Sequence, residues 1–174
     1  MTKIEKINKL NLLTMLSKQN IKFDIYEHAA LHTVEESKEL RGKIEGVHTK
    51  NLFLKNKKNN FFLFSCQEST IIDLKQLKKI LDLGNISFAK DLYLENIMGV
   101  KPGSVTPFGL INDQENRIKF FLDKKILYHK KVNFHPLVNT STVSLNTKEF
   151  LLFMKNNNKL VNIFNFDNYI LENG

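Results

Sequence analysis

The stretch "GVKPGSVTPFGLIND", Gly99 to Asp113, constrains the fold more than any other part of the chain. Two glycines and two prolines fall between Gly99 and Pro107, in a chain with seven glycines and three prolines in all. Proline holds its own φ near −65° and drives the preceding residue into extended backbone, so Pro107 predicts an extended Thr106. Glycine accepts φ values that a Cβ resists and lets another group approach closely, which suits Gly103 to a tight bend. The segment reads either as rigid backbone with its amides held one way, or as an ordinary Pro-Gly surface turn.

Helices and strands are mixed on both sides of this bend. Thr2 with Glu5 forms a capping box before a helical stripe of Ile4, Ile7, Leu10, Leu13 and Leu16. Ile21, Phe23 and Ile25 alternate as a strand. Thr33 with Glu36 predicts a second helix that stops at Gly42. "HTKNLFLKNKKNNFFLFSC" reads as two strands around a polar turn at Asn56 to Asn60. Short helices end at Gly84 and Gly99. "PFGLIND" and "RIKFFLD" read as strands joined by "NDQEN", and "HPLVNTSTVSLN" ends in a β-prone run. Asn146 with Glu149 opens a last helix, and "LVNIFNF" closes as a strand. Without a strict βαβα rhythm, the pattern predicts a mixed α/β domain, a mixed sheet with helices packed on it, spanning residues 1–174 as one unit.

The 174 residues are 42% hydrophobic and 25% charged, the balance of a globular protein with a real core. No apolar run approaches the ~18 residues of a membrane span, and "MTKIEKINKL" has no apolar signal core. A cytoplasmic protein without a membrane partner is expected. The single cysteine, Cys66, fits a reducing compartment and sits in "FFLFSCQ", a buried strand position rather than a nucleophile's. The motifs of P-loops, dinucleotide folds, zincins and serine-hydrolase elbows are absent. His28 and His32 have a metal-compatible spacing but no third ligand nearby, so neither metal nor cofactor is expected.

The formal net charge is +8, from 26 basic and 18 acidic residues. This favours a polyanionic partner, nucleic acid first; a compositional drift toward lysine and asparagine would produce the same charge.

Three segments carry the chemistry: "HTKNLFLKNKK" (His48 to Lys58), "MGVKPGSVTPFGLIND" (Met98 to Asp113) and "VNFHPLVNTST" (Val132 to Thr142). Together they resemble the YbaK-like family of aminoacyl-tRNA editing domains, nearest to its stand-alone prolyl-tRNA editing members. The likeness runs from about "YEHAALHTVEE" to "EFLLFMK". It implies a strongly curved, partly barrel-like mixed sheet with surrounding helices. It also implies hydrolysis of the ester in alanine-mischarged proline tRNA, with the tRNA as partner and prolyl-tRNA synthetase as a candidate second partner. The family's G-x-x-x-P motif falls on Gly103, Ser104, Val105, Thr106 and Pro107, its lysine on Lys50 followed by Asn51, and its histidine on His135. Gly109 stands where a residue with a Cβ, such as alanine, would be at home.

These residue types suit the chemistry. An ester under attack by water develops an oxyanion, and fixed backbone amides between Gly103 and Pro107 would stabilise it. Lys50 adds a positive charge for the oxyanion or for a terminal phosphate. Asn51 donates and accepts, and suits ribose hydroxyls or the substrate amine. His135 either binds substrate or is a hydrogen-bonded structural histidine. Where no base is positioned, the resemblance points to the tRNA's own ribose hydroxyl as the activator of water. Lys55, Lys57 and Lys58 are candidates for tRNA contact, or simply a soluble hairpin. The same chemistry on Cys-tRNA(Pro), and a non-catalytic tRNA- or synthetase-binding module, are the alternatives.

Overall fold

A ten-residue strand, β2 (Val47–Asn56), organises the sheet. In this computed structural model, which describes residues 5–30, 36, 38, 39 and 42–172, β2 pairs with three other strands. Its start runs parallel to β6 (Lys131–Phe134), with Val47 opposite Val132 and His48 opposite Asn133. From Thr49 to Lys55 it runs antiparallel to β3 (Phe61–Gln67), and its last three residues take β4 (Ile86–Phe88). The remaining strands are β1 (Phe23–Glu27), β5 (Ile118–Asp123), β7 (Ser141–Asn146), β8 (Asn162–Asn165) and β9 (Ile170–Glu172). The order is β1-β7-β6-β2-β3-β5-β8-β9, with β3–β5 and β5–β8 parallel. The mixed curved sheet is as expected, and it is open, with β1 and β9 ending the order.

The β2–β3 hairpin turns at the expected place because Asn56 supplies the bonds. Its Oδ1 accepts from the amides of Lys58 and Asn60, both at 3.0 Å, and its Nδ2 donates to Leu83 O. β3 is buried along "FFLFSC" because both faces meet apolar partners. Alternation sends Phe61 and Leu63 to one core with Phe53, Phe120 and Leu122. It sends Phe62, Phe64 and Cys66 to a second core with Leu54, Leu77 and Phe121. Helix Thr147–Asn156, capped by Asn146 Oδ1 on the Lys148 amide, covers the first core with Phe150, Phe153 and Met154. Phe108 sets its ring edge-on to Phe134, Phe150 and Phe153, contacts of about 0.5–1.5 kcal/mol each beyond the area buried.

Three expectations change. The first helix begins at Lys9, not at a Thr2 cap; Thr2 and Ile4 lie outside the described residues, and Glu5 is not helical. Asn8 and Asn11 form the capping box instead, which rotates the buried stripe onto Leu12 and Leu16 and leaves Leu10 72% exposed. "PFGLIN" is a 3₁₀ helix (Pro107–Asn112), not a strand, because Thr106 Oγ1 caps the Phe108 amide and Pro107 sits at its first position. Gly109 does not welcome a Cβ: one built there stands 2.7 Å from the Met98 terminal methyl and 3.0 Å from Met98 Cβ. The Thr33 cap and His32 fall outside the described residues.

Candidate functional site

The bend is built as its residues dictate. Ser104 N donates to Lys101 O, closing a turn whose third residue, Gly103, has φ +84°. Thr106 is extended, at φ −155° and ψ 147°, as the residue before Pro107 must be. Ser104, Thr106 and Pro107 are buried, whereas Gly103 is exposed and Val105 packs against the first core. The Ser104 amide is thus spent on the turn and does not belong to the outward-facing donors expected of the motif.

The third segment meets this bend. The nearest atom to a Cβ built on Gly103 is Asn139 Nδ2. Lys101, Pro102 and Ser104 form one wall of a cleft of about 490 Å³, and Leu137, Val138 and Asn139 form the other. Residues 6–9 complete it, stitched in place by Asn112. Asn112 Oδ1 accepts from Ile7 N at 2.7 Å, and its Nδ2 donates to Ile7 O and to Met98 O. His135 opens the same segment. Its Nδ1 lies 2.8 Å from Ser141 O, and its ring centre is 6.1 Å from that of His28. Burial pushes the His135 imidazole below its ordinary value and the nearby His28 adds to this, against a smaller upward pull from the Ser141 carbonyl.

The first segment joins the third through the sheet: Thr49 Oγ1 donates to Asn133 O at 2.8 Å beyond the β2–β6 pairing. Along β2, Asn51 shares its face with Phe53 and so points toward the first core, where it accepts from Ser65 Oγ. Lys50 shares its face with Leu52 and Leu54, toward the second core, and its Nζ donates to Thr70 O. The ammonium is therefore held by the Thr70 carbonyl. Lys55 stacks its ammonium over Tyr93 at 5.2 Å, and Lys57 and Lys58 stand exposed in the hairpin turn. That turn is roughly 20 Å along the strand from Lys50, not beside it. Cys66 is fully buried, and burial pushes its thiol well above the usual range, as befits a core residue.

The model of the aminoacyl-tRNA editing domain matches residues 28–153, which contain all three segments. The chain belongs to that family. The chain is 37% identical over 152 residues to prolyl-tRNA synthetase associated domain-containing protein 1 of Bos taurus, covering 84% of this chain and 88% of the relative. It is 30% identical over 152 residues to prolyl-tRNA editing protein ProX of Acetoanaerobium sticklandii, covering 86% and 92%. A crystal structure described as a candidate trans-editing enzyme for prolyl tRNA synthetase has the same fold, with TM-score 0.66, 18% identity, and 98% and 100% coverage. No helix among the described residues is long and apolar enough to cross a membrane.

Two residues stand beside His135: His28, weighed above only for a metal, and Asn133, which the sequence did not single out. His28 Nε2 is 2.9 Å from Thr142 Oγ1. Asn133 is 3% exposed, and neither atom of its carboxamide has a hydrogen-bond partner. The signal for His28 was its pairing with the β7 threonine run, visible only once β1 and β7 are known to be neighbours.

Proposed function

We propose that residues 1–174 form one trans-editing deacylase that hydrolyses the ester of mischarged Ala-tRNA(Pro) in the cytoplasm. The observation that carries this reading is the seating of the Gly103 bend against Asn139, at a cleft within a chain of the editing family. Hydrolysis adds the oxygen of water to the alanyl carbonyl carbon, breaks the bond to the ribose oxygen and returns a proton to it. Amides of the Gly103–Pro107 bend that are not spent on the turn serve the developing oxyanion. Lys50 supplies the positive charge, and Asn51 and His135 hold the substrate. A histidine kept neutral by burial is suited to hydrogen bonding, and the neighbouring ribose hydroxyl of the tRNA assists the water. Selection against the correct prolyl ester is steric, since a small pocket excludes a ring far better than a large one rejects a methyl. Lys55, Lys57 and Lys58 contact the tRNA at a distance from the ester. Neither metal nor cofactor takes part, and prolyl-tRNA synthetase is the second partner.

The test is a panel of Ala-, Cys- and Pro-charged proline tRNAs incubated with purified protein. Ester loss from Ala-tRNA(Pro) with Pro-tRNA(Pro) spared is the expected result, and Lys50→Ala lowers kcat by about 10²-fold. A rival reading, a tRNA-binding module without catalysis, is favoured by the Lys50 ammonium pointing to Thr70. Tight tRNA binding with every ester intact would establish it.

A further inference from the structure

We propose that Thr70 and Asp123 are positioning residues that set the place of the Lys50 ammonium. Lys50 Nζ donates to the main-chain carbonyl of Thr70. A carbonyl orients an ammonium and leaves its charge uncancelled, whereas a carboxylate in that place would orient and neutralise it.

A carboxylate stands close by and is kept occupied. Asp123 is 1% exposed. Its Oδ2 accepts from Thr70 Oγ1 at 2.6 Å and from Gln67 N at 3.1 Å, and its Oδ1 accepts from Lys125 N at 3.0 Å. These bonds fasten the turn that Thr70 N closes on Gln67 O. Thr70 is 2% exposed although its neighbour Ile71 is 87% exposed, so the side-chain bond to Asp123 is what ties this turn inward. Both charges reach one spot: Cys66, directly across from Lys50 on β3, has its thiol pushed up by burial first, then further by Asp123, with Lys50 pulling it down. The chain of bonds runs from a buried carboxylate, through a threonine hydroxyl and its own carbonyl, to a half-buried lysine.

The kinetic consequence rests on the deacylase reading; the placement of the ammonium does not. Full-length wild type, Thr70→Val and Thr70→Ser are treated with N-hydroxysuccinimidyl acetate, and acetylation of Lys50 is followed by mass spectrometry against the exposed Lys57. Valine keeps the shape and loses the hydroxyl; serine keeps the hydroxyl. Lys50 is expected to react more slowly than Lys57 in wild type, about fivefold faster in Thr70→Val than in wild type, and near the wild-type rate in Thr70→Ser. An unchanged Lys50 rate in Thr70→Val overturns the proposal. Should that variant not fold, wild type alone decides it: Lys50 reacting as fast as Lys57 overturns it too. In deacylation, Thr70→Val lowers kcat with KM nearly unchanged, Thr70→Ser restores it, and neither changes a Lys50→Ala background. Absent deacylation with the labelling pattern intact removes the deacylase reading and leaves the placement standing. Deacylation by wild type with labelling unmoved in Thr70→Val does the reverse.

Discussion

Gly103 and Asn139 face each other across the join of two loops: a β-carbon on Gly103 would stand 3.5 Å from Asn139 Nδ2, at ordinary contact distance. Space does not forbid alanine there; the left-handed φ of +84° does. Gly103→Ala should cost roughly 1 kcal/mol of stability and shift the bend, lowering deacylation tenfold or more. Thermal melting beside single-turnover kinetics checks both. A variant that melts earlier with its rate intact would remove the bend from the chemistry.

Gly109 gives the opposite pairing of cause and effect. Its backbone is not left-handed, but an added Cβ runs into Met98 at 2.7 Å and 3.0 Å. Gly109→Ala should destabilise by about 1–2 kcal/mol through overpacking. Shortening the neighbour in a Met98→Ala background should recover part of that loss, read by denaturant unfolding.

Asn112→Ala removes three bonds at once, to Ile7 N, Ile7 O and Met98 O, at a position 5% exposed. The loss should reach about 2–4 kcal/mol and lower Tm by roughly 5–15 °C. Limited proteolysis should then cut first near residues 6–9, where the strap is no longer held.

His135 makes stability depend on pH. Burial, with His28 adding to it, depresses its folded value below the ordinary 6.5. Above pH 6.5 the ring is neutral in both states and nothing is lost. As pH falls from 6.5 toward the folded value, the unfolded chain takes up the proton first, so stability declines across that window and levels off below it. The Tm gap between wild type and His135→Gln, measured from pH 7.5 down to 5, should shift in the direction of weaker wild type. A gap constant with pH would deny the depressed value.

Replacing Lys57 and Lys58 by alanine should weaken tRNA binding and flatten its salt dependence, with the single-turnover rate of bound substrate unchanged. The hairpin sits roughly 20 Å from Lys50, too far to touch the ester.

What was legible in the sequence is what local rules decide. Asn56 and Asn60 marked the hairpin, Asn146 the last helix and Pro107 the extended Thr106, each through bonds or sterics within five residues. Two short-range readings lost to competing local bonds: the helix opens at the Asn8–Asn11 box and leaves Glu5 outside it, and the Thr106 hydroxyl turned "PFGLIN" helical. The site residues were legible as types in motif order, but not their directions. Lys50 and Asn51 are neighbours in sequence that face opposite cores, and Lys50 finds its carbonyl 20 residues away. That partner depends on Asp123, a further 53 residues on from Thr70, which no spacing rule reaches.

The turn before the bend, Leu94–Met98, is π-helical and ends on Gly99 at φ +68°. Such a turn holds one residue more than an α turn. Removing a single position, Glu95 for instance, would let it tighten into an ordinary α turn with the residues downstream held near their present phase. Inside the helix Thr147–Asn156 the same deletion would turn the following residues by about 100° and carry Phe153 and Met154 out of the first core. A one-codon loss ahead of the cleft is thus absorbed by the surplus residue of that turn, where the same loss in the last helix would unseat the core.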